Sequence, residues 1–348
     1  MKHIFRSGII SALSAALLFG IATPLAKFML ETTNPWMLAG LLYLGSGLGL
    51  FIYRKVIKAP SVLLPPEERF WFAGAVLSGG IVAPVLLMAG LSGMSAADVS
   101  LMLNAEGVFT TLLAWFVFKE NFDRRIALGM AAIVAGALVL SWPAEVRLAA
   151  AWPSLAVLGA CLAWGIDNNL TRKVSLTDAS WIASVKGLVS GTVNVCLAFV
   201  LGSGMPALAS VGGALLLGFF SYGISLVLFI IGLRHLGTAR TGAYFSVAPF
   251  FGAVLAVLLG DAVTLPLLLA GGLMALGVWL HLSERHAHPH THEALVHEHT
   301  HVHDEHHQHA HDFPVSPGTS HSHPHRHEPL MHSHPHYPDA HHRHKHQD

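Results

Sequence analysis

The sequence contains LFGIATPLAK at residues 18–27, and a related segment, AWGIDNNLTR, occurs at residues 163–172. The two segments share an aromatic residue, the pair Gly-Ile, a leucine and a terminal base at equal spacing. A similarity of this kind between two apolar segments can arise by chance, so its weight depends on further matches in the same order.

Two further matches follow. AGLSGMSAADVS, from Ala89, corresponds to IGLRHLGTARTG, from Ile231, and the series Glu120, Gly129, Gly136 corresponds to Asp261, Ala270, Gly277. All three matches have nearly the same offset, between 141 and 145 residues. Chance similarity does not explain this order, so the sequence predicts an internal repeat.

The composition indicates a membrane protein. Hydrophobic residues make up 53% of the 348 residues and charged residues only 11%, against roughly a quarter charged in soluble domains. A bilayer core requires about 20 apolar residues of helix. The stretches that meet this requirement lie near residues 7–30, 35–53, 70–91, 97–118, 125–142, 152–172, 179–201, 209–233, 238–259 and 263–282.

Ten spans in two repeats give five spans per repeat, and an odd number places the repeats in the membrane with opposite orientation. We therefore predict an all-α integral membrane protein of ten transmembrane helices, arranged as two inverted five-helix repeats, followed by a disordered tail. The predicted domains are residues 1–142, 143–282 and 283–348.

Lysine and arginine predict the orientation, because cytoplasmic loops retain positive charge during insertion. Fourteen of these residues fall on one side of the predicted spans, and only Lys27 and Arg147 fall on the other. Both termini are therefore predicted to be cytoplasmic, in a multi-pass protein of the plasma (inner) membrane. We predict that the N-terminal segment, MKHIFR with the apolar run that follows it to Ile21, is an uncleaved first span.

The tail has a different composition from the rest of the chain. All but three of the 26 histidines lie from His286 onward, and six prolines from Pro314 to Pro338 favour disorder. Imidazole is a common ligand of divalent transition metals, so we expect nickel, cobalt or zinc to bind the tail without a fixed geometry. The densest candidate ligands are His297, His299, His301, His303, His306, His307, His309 and His311.

Three charged residues lie deep inside predicted spans, namely Glu106, Asp167 and Lys186. Each costs at least about 2.5 kcal/mol at the centre of a membrane, so such residues usually face a cavity or a partner. Glu106 is a candidate for loading and releasing a proton, although a purely structural carboxylate is the alternative. Lys186 is expected to pair with Asp167 or Glu106, and the sequence leaves the partner open.

Other candidate substrate-binding residues surround these charges. Helical periodicity places Thr110 on the face of Glu106, and Asn168 belongs to the polar triplet Asp167-Asn168-Asn169, for which hydrogen bonding between helices is an equal alternative. Aromatic walls with few polar groups suit organic ligands, but ordinary packing explains each ring equally well. The remaining candidates are Asn104, Trp164, Tyr222 and Tyr244.

These features resemble the EamA-type permeases of the drug/metabolite transporter superfamily. The resemblance rests on the ten spans in two repeats, on SLMLNAEGVFTTLLAWFVFKENF at residues 100–122 and on the spacing of Gly129 and Gly136. It covers about residues 7–282 and implies a helical transporter with a central cavity. The chain departs from the family pattern at Gly107, where proline is frequent, and at Ala248, which replaces Glu106 in the second repeat.

Three functions fit these observations. The first is a secondary transporter of a small metabolite or an amino-acid-like solute, with proton coupling through Glu106 and a metal-binding tail. The second is an exporter of nickel, cobalt or zinc, and the third is a non-transporting anchor for a metal-sensing or metal-storing tail. An enzyme is disfavoured, no cofactor is required and no nucleic acid partner is indicated. Membrane lipid is expected to contact the spans, and a homo-oligomer is compatible with this architecture.

Overall fold

The structure is a computed structural model. It describes residues 2–118, 124–141, 148–174, 177–236, 238–282, 287–292, 295–301, 321–327 and 330–335. The chain divides into two compact units, Met1–Glu284 and Arg285–Asp348. The first is called the membrane unit here and the second the tail.

Within its described residues, the membrane unit consists of ten helical spans. Their helical segments are, in order, Lys2–Gly20 with Ala22–Met29; Pro35–Val56; Pro66–Ala75, Val76–Val82 and Ala83–Ser92; Ala96–Met102 with Ala105–Phe118; Arg124–Ser141; Leu148–Val174; Ala179–Val200; Leu208–Gly218, Phe219–Ile224 and Ser225–Leu236; Thr238–Phe245 with Ala248–Leu258; and Leu265–Leu282. In the part of the chain that the structure describes, six helices are long and apolar enough to cross a membrane, and shorter apolar helices accompany them. The all-α fold predicted from the sequence is confirmed.

Side chains that accept hydrogen bonds from the first turn begin several of the spans. Asn34 caps the second span through the Trp36 amide, Ser95 caps the fourth through Asp98, and Asp178 caps the seventh through Trp181. Each cap satisfies a backbone N–H that has no partner within its own helix.

Irregular segments occur at corresponding places in the two repeats. The third span contains a π-helical segment, Val76–Val82, and the eighth contains another, Phe219–Ile224. The fourth span is broken between Met102 and Ala105, and the ninth between Phe245 and Ala248. Helices broken at membrane depth are typical of transporters, where they place backbone groups and helix ends beside a cavity.

The contact between the fifth and tenth spans shows the relation between the repeats. A Cβ on Gly277 would lie 2.6 Å from the Gly129 carbonyl oxygen, and one on Gly136 would lie 3.1 Å from the Ala270 carbonyl oxygen. The repeat pairs Gly129 with Ala270 and Gly136 with Gly277. The correspondence between the repeats therefore converts each of these close contacts into the other.

Glycines also join the repeats at the second span. A Cβ on Gly47 would lie 2.3 Å from the Leu188 nitrogen, and one on Gly218 would lie 1.9 Å from the Leu42 carbonyl oxygen. Small residues let helix backbones approach in a bilayer, where packing replaces the hydrophobic effect as the main source of association. The second span is thereby packed closely against the seventh and eighth.

Polar contacts join different spans at the two ends of the bundle. At one end, the Lys27 ammonium donates to the carbonyl oxygens of Leu91 and Met94, each at 2.7 Å, and to that of Ser92 at 3.4 Å. Near it, Asp261 accepts a hydrogen bond of 2.8 Å from the Ala97 amide. This end is called the Lys27 end.

The opposite end is called the Arg54 end. Arg54 lies in the last turn of the second span, and its guanidinium is 2.6 Å from Asp178 and 2.6 Å from the Ser180 hydroxyl at the start of the seventh. It is the end that the distribution of lysine and arginine assigns to the cytoplasm, and that assignment stays a prediction.

The described parts of the tail form four short strands. Ala287–His292 pairs with Leu330–Pro335, and Leu295–His301 pairs with His321–His327, both antiparallel. The prolines and composition of the tail predict disorder, whereas these four segments are strands. Their alternation of histidine with other residues has the two-residue period of a strand.

Candidate functional site

A cavity lies between the two repeats near the middle of the membrane unit. It encloses about 610 Å³ of empty space, including that at its mouth. Seven of the described spans contribute lining residues, three from the first repeat and four from the second. The lining residues are Phe19, Tyr43, Ser46, Glu106, Trp164, Asp167, Asn168, Ala183, Lys186, Gly187, Ser221, Tyr222, Ser225, Leu226, Phe229 and Phe245.

A buried ion pair forms one side of the cavity. The Lys186 ammonium contacts Asp167 Oδ2, and the Thr171 hydroxyl donates to Asp167 Oδ1 at 2.9 Å. The Asp167 and Lys186 side chains are only 7% and 4% exposed. The structure therefore identifies Asp167, and not Glu106, as the partner of Lys186.

Glycine allows this pair to approach the third span. A Cβ on Gly79 would lie 1.9 Å from Asp167 Oδ2, and one on Gly80 would lie 1.9 Å from the Ser190 hydroxyl. A side chain at Gly79 would overlap with the carboxylate, so the absence of one is required here.

The carbonyl of Gly79 holds two rings of the cavity wall. It accepts hydrogen bonds from the Tyr43 hydroxyl at 2.6 Å and from the Trp164 indole N–H at 3.0 Å. The carbonyls of Gly79 and Gly80 are available as acceptors because Pro84 has no N–H. In a π turn that N–H would bond to the Gly79 carbonyl, and in an α turn to the Gly80 carbonyl. The Gly80 carbonyl is instead approached by the Asn194 amide, at 3.3 Å.

Glu106 also lines the cavity, in the first turn of Ala105–Phe118. The Asn168 side-chain amide donates to Glu106 Oε1 at 2.8 Å and to the Thr110 hydroxyl at 3.2 Å. Asn169 fixes the same contact between helices by donating to the Thr110 carbonyl at 3.0 Å. Both asparagines therefore join the fourth span to the sixth.

Aromatic rings form the remaining wall, with Phe19 in contact with three of them. Its centroid lies 5.8 Å from that of Trp164 and 5.8 Å from that of Tyr222, both at steep angles, and 5.4 Å from that of Phe245. Tyr43 and Tyr222 are also neighbours, at 5.2 Å. Such edge-to-face arrangements pack rings tightly.

The structure brings most of the predicted site residues together. Those that line the cavity are Glu106, Trp164, Asp167, Asn168, Lys186 and Tyr222. Thr110 lies behind them, bonded to Asn168. Asn104 is not part of the described lining, and its amide donates to the Leu101 carbonyl at 2.9 Å and to the Met274 sulfur at 3.7 Å. Tyr244 is half-buried and is not part of the cavity lining, whereas its neighbour Phe245 is.

Several lining residues were not predicted from the sequence. Phe19, Tyr43, Phe229 and Phe245 look like ordinary membrane aromatics, and Ser221 like a small packing residue. The aligned aromatic pair Phe19 and Trp164 was the one available signal, because the two rings occupy equivalent positions in the repeats and meet in the cavity.

The predicted metal ligands are divided by the limits of the described residues. His297, His299 and His301 lie in the strand Leu295–His301, opposite His325, His323 and His321 of its partner strand. His303, His306, His307, His309 and His311 lie outside the described residues. Metal binding by these histidines stays a prediction.

The cavity lies nearer to the Arg54 end than to the Lys27 end. Ala183 is within two helical turns of Asp178, and Phe229 is within two turns of the last residues of the eighth span. Towards the Lys27 end, the first, fourth and ninth spans pack closely, since a Cβ on Gly252 would lie 2.6 Å from the Ser100 hydroxyl.

Known proteins share this architecture. A solved structure, described only as the crystal structure of a protein, superposes with a TM-score of 0.63 at 19% identity, covering 79% of this chain and 95% of the other. An "Uncharacterized transporter" of Methanothermobacter thermautotrophicus is 28% identical over 293 residues, which cover 78% of this chain and 85% of that protein. The first likeness shows the fold alone.

Two shorter matches carry more specific names. The "Probable amino-acid metabolite efflux pump" of Salmonella typhimurium is 29% identical over 167 residues, covering 47% of this chain and 52% of that protein. The "Probable 4-amino-4-deoxy-L-arabinose-phosphoundecaprenol flippase subunit ArnE" of Pseudomonas fluorescens is 35% identical over 102 residues, covering 29% of this chain and 89% of that protein.

The family comparison covers both repeats. The model of the EamA-like transporter family matches residues 6–142 and again residues 151–283, which together form most of the chain. The ten helical spans and the central cavity agree with that match. The chain belongs to the EamA-like transporter family and is a multi-pass membrane transporter.

Proposed function

We propose that the protein is a proton-coupled secondary transporter that moves a small organic solute of amino-acid-like size through the central cavity. One observation carries this proposal: the cavity is lined from both repeats and contains a hydrogen-bonded carboxylate, Glu106, beside a separate buried ion pair. The amino-acid metabolite efflux pump among the similar proteins supports a solute of this size.

The amino-acid metabolite efflux pump among the similar proteins supports export as the direction of transport, and the position of the cavity is compatible with it. The cavity lies nearer to the Arg54 end, and the distribution of lysine and arginine assigns that end to the cytoplasm. A solute would therefore load from the cytoplasm, and rocking of the repeats would open the Lys27 end to release it. We propose export as the physiological direction.

Glu106 is proposed as the proton carrier. Asp167 is already compensated by Lys186, whereas Glu106 is held by the neutral amide of Asn168. A carboxylate that exchanges a proton for substrate couples the two fluxes, because both compete for the same oxygen atoms. Glu106→Gln keeps a side chain of similar size that cannot carry the proton.

The test uses proteoliposomes loaded with radiolabelled amino acids under an imposed pH gradient. The full-length protein is compared with its Glu106→Gln variant and with a protein truncated at Ser283, which removes the pH-dependent charge of the histidine tail. We expect counterflow driven by the gradient in the full-length and truncated proteins, and none in the variant. Solute movement that is indifferent to both the gradient and Glu106 would refute proton coupling.

The tail is proposed to bind divalent transition metal, as a cytosolic buffer or regulator. Its support is the histidine content and the register that places His297, His299 and His301 opposite three further histidines. Titration of full-length and truncated protein with nickel, cobalt and zinc tests it, and equal metal uptake by the two would contradict it.

Metal export is the competing function. In the described part of the membrane unit, no group of three or more histidine, cysteine, aspartate or glutamate side chains could hold a metal ion, so the cavity favours an organic solute. The same proteoliposomes, assayed with nickel, cobalt and zinc, distinguish the two functions.

A further inference from the structure

The described lining of the cavity contains more acidic than basic side chains. Two carboxylates and one ammonium line it, and Asp167 is paired with Lys186. Glu106 makes no ion pair with a basic side chain among the described residues, and its side-chain partner there is the amide of Asn168. When Glu106 is ionised, the described lining therefore carries a formal charge of −1.

The surroundings of Glu106 favour its charge without cancelling it. Glu106 occupies the first turn of Ala105–Phe118, where the helix dipole is positive and stabilises an anion. The Asn168 N–H adds a hydrogen bond to the same carboxylate. Neither group carries a full positive charge, so a mobile cation that binds there is still attracted by the negative charge of Glu106.

The aromatic wall suits a cation as well. Tyr43 and Trp164 direct their polar atoms to the Gly79 carbonyl and thus present ring carbons to the cavity. Phe19, in contact with Trp164, Tyr222 and Phe245, adds further ring surface. The electron-rich faces of such rings attract ammonium groups and oppose anions.

A solute carboxylate would find little to bind. Lys186 is the cavity's described cation, and its ammonium is held by Asp167, whose other oxygen is bonded to Thr171. Releasing Lys186 to a solute would leave Asp167 buried without its partner, at a large cost. The neutral Ser221 hydroxyl, fully buried without a hydrogen-bond partner in the described structure, remains available to a polar substituent of the solute.

From these contacts we infer the substrate class: the cavity binds a small organic monocation, with its ammonium group at Glu106 and its apolar or aromatic body among the rings around Phe19. This inference rests on the proposed function, because it specifies what the same cavity transports. It narrows an amino-acid-like solute to one recognised by its amino group, and it places amines above zwitterions and zwitterions above anions.

The test uses three probes with a common phenyl body and different charge. Phenyltrimethylammonium is a permanent cation, phenylalanine a zwitterion and benzenesulfonate a permanent anion, so the two ions cannot leak through lipid in a neutral form. Uptake of each is measured with full-length protein in proteoliposomes. We expect the cation to move at least tenfold faster than the anion, with phenylalanine between them.

Three variants assign the preference to Glu106. Glu106→Gln should lose at least tenfold in cation uptake, whereas Glu106→Asp, which retains the charge, should keep the order of the probes at a lower rate. Glu31→Gln is the matched control, because Glu31 is an exposed carboxylate at the Lys27 end. Size-exclusion chromatography confirms that each variant is folded.

The outcomes separate this inference from the proposed function. If the anion moves as fast as the cation, or if Glu106→Gln keeps the preference for the cation, the substrate class is wrong although the protein still transports. If the protein moves none of the probes and no amino acid, the proposed function itself fails. A cation preference that depends on Glu106 supports both.

Discussion

Asp167 and Lys186 show how a charged pair is accommodated inside the membrane unit. Transfer of either ion alone from water costs several kcal/mol, and their attraction offsets this only with good geometry and further hydrogen bonds. Thr171 supplies one such bond, and Gly79 provides the space for the carboxylate. The pair therefore depends on neighbours in two other positions of the bundle.

This dependence predicts non-additive effects of substitution. Lys186→Met or Asp167→Leu alone leaves a buried charge without its partner and should lower the free energy of unfolding by about 3–5 kcal/mol. The double variant removes both charges and should recover most of that loss. Thermal unfolding of the purified variants in detergent measures the effect, and additive losses in the double variant would show that the pair is not coupled.

The residues that could be predicted from the sequence were those that are expensive in lipid. Glu106, Asp167 and Lys186 could be singled out because a charged side chain in a bilayer has a high free-energy cost and usually faces a cavity or a partner. Tyr43 could not be recognised, because an aromatic ring needs no polar partner at that depth, and alignment with Trp164 was the one signal for Phe19. Asn104 is not part of the described cavity lining, since its amide donates to the Leu101 carbonyl and the Met274 sulfur instead.

At the scale of single elements, the third span shows how one residue shapes the cavity wall. Pro84 removes an N–H, the segment before it becomes π-helical, and the Gly79 carbonyl becomes the acceptor for both Tyr43 and Trp164. Gly79, Gly80 and Pro84 are evident in the sequence. Their effect could not be predicted, because the donors come from two other spans.

The start of the seventh span gives a prediction about pH. Partial burial alone raises the pKa of Asp178, but hydrogen bonds from the Ser180 hydroxyl and the Trp181 amide, together with the Arg54 charge, lower that pKa overall. A depressed pKa means that the ionised carboxylate stabilises the folded state. This stabilisation is complete above the unfolded pKa of about 3.9 and is lost as the pH falls through the lower folded pKa.

Asp178→Asn tests this prediction, because asparagine still caps a helix but carries no charge. The melting temperature of the wild type should exceed that of the variant by a constant amount above about pH 5, and the difference should narrow as the pH falls below 4. Asp178→Ala also removes the cap and should cost about 1 kcal/mol more. A gap that widens in acid would contradict the assigned sign.

At the scale of the whole molecule, glycine contacts carry the packing between the repeats. Gly218 approaches the Leu42 carbonyl, whereas nothing lies within 4 Å of a Cβ at Gly212, two turns earlier in the same span. The two positions therefore form a matched pair, with the same residue type in the same helix and different surroundings.

We expect Gly218→Ala to lower the free energy of unfolding by about 1–3 kcal/mol through overpacking. Gly212→Ala should be neutral or should stabilise the protein by up to about 1 kcal/mol, since alanine favours a helix. Thermal unfolding and transport of both variants give the comparison. Equal behaviour of the two would mean that the second and eighth spans are not packed as described.

The overall fold was the part most accessible from sequence. Ten apolar stretches, a repeat offset of 141 to 145 residues and paired glycines in the fifth and tenth spans define the architecture without any side-chain detail. The breaks in the fourth and ninth spans were not predicted, because hydropathy does not distinguish a continuous helix from two helices joined by a short turn.

The Lys27 contacts have a consequence for how the two faces of the transporter sense their surroundings. The acceptors there are backbone carbonyls of Leu91, Ser92 and Met94, which do not titrate. At the Arg54 end the acceptor is a carboxylate, Asp178, which does. Acidification at the Lys27 end therefore removes none of the acceptors that Lys27 holds, whereas acidification below about pH 4 at the Arg54 end protonates Asp178, so the two faces respond unequally to the same stress.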